Sequence, residues 1–334
     1  MGHKNSVTVL FVILLLLTSA CESAVMREFN YHMAGNDSRS AESMLQNELS
    51  SDPDNAEANY LMGNLLSRQK QYSQANTYFE RSLNTSSMYR EHIEYLKERN
   101  YRLEFNTSLD AWNQQRWPRT VEFAHYAREI FPNRIEVYHL LGSAYNELDE
   151  PENEQNAYIT CLSYVETDYQ CGLNLTKSYY SNRQYQEAIE TATHMLEEYS
   201  NNTNFLKLLA YSYFELEDFD RSEEAFEKLL SVRFNYATVK QYATELNNIG
   251  EIYRAERYFR RCLEYAPRDE EVLSALASIY LETGNFRLMV QANERLLSMD
   301  PNNRDLKKNL MLSYELFGDI DNYRALRSQL GLDN

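Results

Sequence analysis

Apolar, aromatic and small residues recur along the chain at a fixed interval of 34 positions, which predicts a repeated structural unit. Glycines, tyrosines and prolines mark this period most clearly. The series are Gly250, Gly284 and Gly318; Tyr145, Tyr179 and Tyr213; and Pro267 and Pro301. A period of this length predicts pairs of α-helices in which each pair buries its apolar face against its neighbours.

Each recurring residue type predicts a place within the helix pair. Small residues let the two helices approach closely, and this set comprises Gly63, Gly142, Ala210 and Ala277. The glycines at 250, 284 and 318 are expected in the turn between the helices, where the backbone is left-handed. This conformation is low in energy only for glycine. Proline lacks a backbone donor and ends one repeat before the next.

These marks resemble the signature of the tetratricopeptide repeat (TPR), with its best copy at Tyr138, Leu141, Gly142 and Tyr145. The second half of the signature is clear at Ala255-Phe259-Cys262-Pro267. The resemblance covers roughly residues 22–334. It implies an all-α fold, a right-handed superhelical solenoid of TPR helix hairpins.

One change of offset defines the predicted domain organisation. Gly63 and Gly142 are separated by two repeats plus eleven residues, and the segment around the insertion has helical character. We therefore predict TPR-like hairpins over 21–89, an insertion at 90–100 that lengthens one helix by about three turns, and a C-terminal array over 101–334.

The amino terminus predicts export. Residues 1–20 contain an early Lys4, an apolar run and then small residues, as in a signal peptide. The segment Leu17-Thr18-Ser19-Ala20-Cys21 resembles the lipobox of bacterial lipoproteins, which implies lipidation of Cys21. Glu22 beside the anchor favours the outer membrane, facing the periplasm, by the same resemblance. The alternative is a free secreted chain cut after Ala20 by the ordinary signal peptidase.

The net charge and the absence of catalytic motifs argue against two classes of function, nucleic-acid binding and catalysis. The formal net charge of −17, with no basic run, argues against binding to nucleic acid. Six scattered histidines, no glycine-rich phosphate loop and no serine elbow predict no catalysis, no cofactor and no metal site. We therefore expect a binding protein and not an enzyme.

The TPR resemblance implies that the first helix of each repeat lines a peptide-binding groove. The residues at groove positions are Lys177, Tyr180, Lys207, Tyr211, Phe214, Lys240 and Asn247. Three lysines with flanking aromatics suit an extended peptide that carries a carboxylate. The alternative is that these lysines are ordinary residues of a solvated face.

Two cysteines pose a separate question. Cys161 falls where the repeat uses a small buried residue, and Cys171 opens the next helix ten residues later. An exported chain meets an oxidising compartment, so a Cys161–Cys171 disulfide is one hypothesis. Two buried free thiols are the other.

The predicted function is a membrane-tethered scaffold or adaptor that binds other envelope proteins or peptides. Exported TPR lipoproteins of this size resemble factors for pilus or secretion-system biogenesis and adaptors for envelope hydrolases. The alternative is a carrier or regulatory component that holds a glycan or another small ligand in the concave groove.

Overall fold

Helices follow one another in pairs along the chain. The computed structural model describes residues 23–332, which contain α-helices and one short 3-10 turn at Ser87–Tyr89 but no strand. The predicted all-α fold class is confirmed. The chain divides into two compact units, with the boundary between Phe226 and Glu227.

Eleven helices lie within the described part of the N-terminal unit. They are α1 (Ala24–Ala34), α2 (Ser38–Ser51), α3 (Ala56–Arg68), α4 (Tyr72–Thr85), α5 (Arg90–Asn113), α6 (Trp117–Ile130), α7 (Ile135–Glu147), α8 (Pro151–Tyr164), α9 (Tyr169–Ser181), α10 (Tyr185–Glu198) and α11 (Thr203–Glu215). Helix α12 (Phe219–Val232) contains the boundary. The C-terminal unit continues with α13 (Tyr236–Asn248), α14 (Ile252–Tyr265), α15 (Glu270–Glu282), α16 (Phe286–Met299), α17 (Arg304–Phe317) and α18 (Ile320–Gln329).

The turn inside every helix pair places one residue in the left-handed region. These residues are Asn36, Lys70, Gln115, Asp149, Arg183, Glu217, Gly250, Gly284 and Gly318, with φ between 56° and 88°. In the α9–α10 turn, Gln184 N–H donates to the carbonyl of Tyr179 (2.9 Å) and Arg183 N–H donates to that of Tyr180 (3.1 Å). This pair of bonds closes the helix end as a Schellman motif. The predicted position of the three glycines is confirmed.

Small residues let the paired helices touch. A Cβ on Gly142 would lie 2.4 Å from the ring of Tyr158, and one on Gly63 would lie 2.6 Å from the ring of Phe79. Both rings are buried. The aromatic side chain of the second helix therefore fills the space that the glycine leaves.

Helix α5 is 24 residues long, whereas the other helices from α2 to α17 have 13 or 14. Its extra length begins at Arg90, within the predicted insertion at 90–100. Glu104 on this helix is buried and accepts hydrogen bonds from Tyr72 Oη (2.6 Å) and Lys70 Nζ (3.0 Å). These bonds join α5 to the preceding helix pair, and burial with the Glu104 carboxylate raises the pKa of Tyr72.

The predicted signal peptide and Cys21 lie outside the described residues. Among the described helices, none combines the length and the apolar character that crossing a membrane requires.

Candidate peptide-binding groove

A depression of about 380 Å³ lies in the N-terminal unit. Side chains of four helices, α5, α7, α8 and α9, form its lining. The lining residues are Trp112, Ser143, Asn146, Glu147, Glu154, Tyr158, Asn174, Lys177, Ser178 and Ser181. Its volume is within the range of small-molecule and peptide side-chain sites, and most of its lining groups are polar.

A buried carboxylate forms part of the lining. Glu154 at the start of α8 accepts a hydrogen bond from Ser178 Oγ (2.6 Å) and a long one from Asn146 Nδ2 (3.4 Å). Burial raises the pKa of Glu154, and these two hydrogen bonds oppose that rise. Since the bond from Asn146 is weak at this distance, the amide of Asn146 is able to turn towards a ligand.

Tyr158 and Asn174 complete the polar wall. The Tyr158 ring occupies the space beside Gly142, and its hydroxyl accepts a hydrogen bond from Asn174 Nδ2 (3.1 Å). Burial raises the pKa of the Tyr158 phenol. Asn174 is half-buried, and its amide oxygen has acceptor capacity that a peptide N–H can use.

The charged Lys177 and the indole of Trp112 lie at the rim of the depression. The Lys177 side chain is exposed, and it is the only predicted groove residue in the lining of this depression within the described chain. Trp112 is half-buried and packs against Trp117 with ring centroids 4.8 Å apart. The rim therefore offers one positive charge and one apolar face to a ligand.

The other predicted groove residues of the N-terminal unit lie beyond this depression. Lys207 is exposed, and its ammonium lies 5.7 Å from the ring centroid of the buried Tyr211. Tyr180 and Phe214 are half-buried, and each packs against the first aromatic of the following helix. These aromatics therefore stabilise helix pairs as well as offering surface.

The predicted groove residues of the C-terminal unit are Lys240 and Asn247, on α13. Lys240 Nζ already forms ion pairs with Asp269 (2.9 Å) and Glu271 (2.5 Å), which raise its pKa. Asn247 is half-buried. Because both acids belong to the following repeat, Lys240 joins two successive helix pairs, and a ligand carboxylate would have to displace them.

The sequence reasoning missed Glu154 and Ser178, although a signal was present. Counted from the left-handed turn residue, Glu154 has the same place as Ala41, Ala75 and Ala188, which are all fully buried. The remaining repeats have Thr120, Ser222, Ala255, Met289 and Tyr323 at this place, so Glu154 is its only acid in the described repeats. A carboxylate there indicates a buried polar interaction that the repeat itself does not need.

The structure joins Cys161 and Cys171 in a disulfide, with their Cα atoms 6.4 Å apart. Both residues are fully buried, at the junction of α8 and α9. Cys262 is a free buried thiol in the C-terminal unit, and burial raises its pKa to about 11.

The fold defines a class, that of all-α repeat proteins built from stacked helix pairs. Two tetratricopeptide repeat models match the sequence, one over 26–89 and 173–237 and the other over 135–164 and 270–303, and together they cover more than half of the chain. The chain belongs to the tetratricopeptide repeat family.

Several solved structures are similar to this chain. A tetratricopeptide repeat protein from Parabacteroides merdae has 17% identity and a TM-score of 0.46, covering 70% of this chain and 98% of its own. Pseudomonas aeruginosa pilF has 15% identity and a TM-score of 0.42, with coverage of 67% and 98%. The P58(IPK) TPR domain has 14% identity and a TM-score of 0.34, with coverage of 89% and 88%. No match to a curated protein was found.

Proposed function

We propose that this chain is a membrane-tethered adaptor whose N-terminal unit holds an extended peptide segment of another envelope protein. TPR proteins bind other proteins or peptides through their repeats, and the family is typically non-enzymatic. The depression at α5, α7 and α9 is the observation that carries the proposal, because it combines peptide-matching amides with a free rim cation.

The chemistry of the lining suits a peptide. An extended peptide presents N–H and C=O groups at regular intervals, and the amides of Asn146 and Asn174 each supply a donor and an acceptor. Lys177 at the rim supplies a charge partner for an acidic side chain or a terminal carboxylate. Trp112 supplies the apolar surface for a neighbouring side chain, because indole offers a large contact area at low entropic cost.

Site-specific photocrosslinking in the native membrane tests the proposed groove. A photoreactive residue at Ser181, which lines the depression, is expected to capture a protein partner. Lys177→Glu should abolish that crosslink by reversing the rim charge, and Lys240→Ala, a change in the other unit, should leave it intact. A crosslink that survives Lys177→Glu and Trp112→Ala together would reject the groove.

The membrane tether and the envelope role rest on the lipobox-like segment that ends in Cys21. We expect the chain to incorporate a palmitate analogue and to fractionate with the outer membrane, and Cys21→Ser to abolish both properties. The partner should belong to pilus or secretion-system assembly, or be an envelope hydrolase. Labelling that is unchanged in Cys21→Ser would reject lipidation at this residue.

One observation favours a second candidate, a carrier that binds a glycan. The depression places the Trp112 indole beside a mostly polar lining, and sugars bind to such combinations of stacking surface and hydrogen-bonding groups. Titration with envelope oligosaccharides should then change the fluorescence of Trp112 while the Ser181 crosslinker captures no protein. A Trp112→Phe variant would assign the signal, because Trp117 is the only other tryptophan.

A further inference from the structure

Four side chains with metal-ligating atoms meet at the end of the α7–α8 pair, where the chain enters α9. They are His139 on α7, Cys161 on α8, Asp168 in the connecting loop and Cys171 on α9, and one donor atom of each lies within 4.8 Å of all the others. Both sulfurs belong to fully buried residues, whereas His139 and Asp168 are half-buried.

We propose that reduction of the Cys161–Cys171 disulfide converts this cluster into a zinc site in which His139, Cys161, Asp168 and Cys171 are the four ligands. The chain would then exist in two alternative closed states, one with a disulfide and one with a metal ion. Each state would link α8 to α9 and so fix the junction between two successive helix pairs.

Zinc chemistry fits this set of donors. Zinc binds four ligands in a tetrahedron, and Cys sulfur, His nitrogen and Asp oxygen are its usual protein ligands. With bond lengths of about 2.0–2.3 Å, ligand atoms around one ion lie roughly 3.3–3.8 Å apart. The donors here lie within 4.8 Å of one another, so the most distant of them need to move by about an ångström. Side-chain rotations would therefore bring them onto one ion.

The two half-buried ligands are already held beside Cys171 and next to each other. Asp168 Oδ1 accepts a hydrogen bond from the Cys171 N–H (2.8 Å) as the N-cap of α9, and His139 Nε2 lies 2.9 Å from the same oxygen. The carboxylate is thus held beside Cys171 by the backbone. The His139 side chain is 31% exposed, which gives an ion a route from solvent to the buried thiolates.

The conversion is a two-electron exchange. A protein dithiol attacks the disulfide, the S–S bond between Cys161 and Cys171 breaks, and the dithiol leaves as its own disulfide after giving two electrons and two protons. Zinc then binds the two thiolates and displaces their protons. Reoxidation by a protein disulfide restores the bridge and releases the ion, which keeps its charge throughout.

Zinc binding by the reduced full-length chain tests the proposal, with Cys21→Ser and Cys262→Ala so that only the two cluster cysteines remain. The chain is reduced with a phosphine, freed of reductant under nitrogen and titrated with ZnCl₂ against a coloured chelator. We expect one zinc per chain after reduction and none before it. With Co²⁺, the reduced chain should show thiolate-to-metal charge transfer and the visible absorption of a tetrahedral ion.

Ligand variants identify the remaining two donors. His139→Gln and Asp168→Asn should each weaken zinc binding at least about tenfold, and Asn still caps α9 because its side chain has the needed acceptor. His194→Gln is the matched control, since His194 is a half-exposed histidine of the same unit with acidic neighbours. Circular dichroism of each reduced chain reports whether the helices persist.

Three results would overturn the proposal. One is zinc uptake that is equal in the oxidised and the reduced chain. Another is uptake by the reduced chain that His139→Gln and Asp168→Asn leave unchanged, which would indicate coordination by the cysteines alone. The third is a reduced chain that loses its helices and does not regain them with zinc, which would mean that the disulfide alone holds this junction. None of these measurements involves a peptide ligand, so they are independent of the groove.

Discussion

Gly284→Ala should lower the free energy of unfolding by about 0.8 kcal/mol, the difference between the mid-range values of two opposing effects. A non-glycine residue in the left-handed region costs about 1–2 kcal/mol, and alanine recovers about 0.4–1 kcal/mol by restricting the unfolded chain. The φ of Gly284 is 72°, and a Cβ added there meets no atom within 4 Å. The change therefore isolates backbone strain, without a steric clash or a lost contact.

The reciprocal substitution is available at the same place of another repeat. Arg183 has φ of 60°, and its side chain is exposed, so Arg183→Gly should stabilise its helix pair by a similar amount. Arg183→Ala is the matched control, because it removes the side chain and keeps the Cβ in the left-handed region. We expect Arg183→Ala to be close to neutral.

Hydrogen exchange measured by mass spectrometry resolves these effects within each pair. A change of about 0.8 kcal/mol corresponds to a factor of about 3–5 in the population of locally open states. Peptides from α15 and α16 should therefore exchange about 3–5-fold faster in Gly284→Ala, and peptides from α9 and α10 about 3–5-fold slower in Arg183→Gly. Unchanged exchange in Gly284→Ala, or equal effects of Arg183→Gly and Arg183→Ala, would refute the argument from backbone strain.

Three further predictions concern the N-terminal unit. Gly142→Ala should cost about 1–3 kcal/mol in urea denaturation, because its Cβ would lie 2.4 Å from the Tyr158 ring; a neutral result would mean that the ring moves freely. Glu154→Gln should remove one contribution to the pH dependence of the free energy of unfolding. The pKa of Glu154 is raised above its usual 4.5. Its contribution to stability is therefore complete below pH 4.5 and is lost as the pH rises through the pKa of the folded state. The wild type should lose stability relative to the variant between pH 4 and pH 7. Reduction of the disulfide between Cys161 and Cys171, measured without metal, should cost about 3 kcal/mol from the entropy of the ten-residue loop; an unchanged urea midpoint would contradict this.

The sequence predicted the features that recur in every repeat. A period of 34 residues fixes where helices turn, and Gly250 and Gly318 adopt the left-handed conformation that their positions require. It also predicted the close approach of two helices at Gly142, because glycine has no side chain to hold them apart. These features depend on local backbone geometry and on neighbours within one helix pair.

Contacts between successive repeats were not predictable in the same way. Lys240 was assigned to the groove by its place in the repeat, yet Asp269 and Glu271, which neutralise it, stand one repeat later. The position of a residue in the repeat predicts which face of its helix it lies on. A salt bridge depends in addition on which side chains of adjacent repeats are close enough to contact each other. That distance is set by packing between helix pairs, which no single repeat encodes.

Departures from the period carry more functional information than the period does. The place that Glu154 occupies is a buried small residue in five other repeats, namely Ala41, Ala75, Thr120, Ala188 and Ser222. Burial of these small residues costs far less desolvation than burial of a carboxylate. A buried carboxylate is expensive unless it is hydrogen-bonded, and replacement of such groups by apolar residues is often neutral or stabilising. Stability alone therefore does not explain Glu154. Glu154 lies in the lining of the depression and accepts hydrogen bonds from two other lining residues, Ser178 and Asn146. It therefore joins parts of this wall to one another, which supports the proposal that the depression binds a ligand.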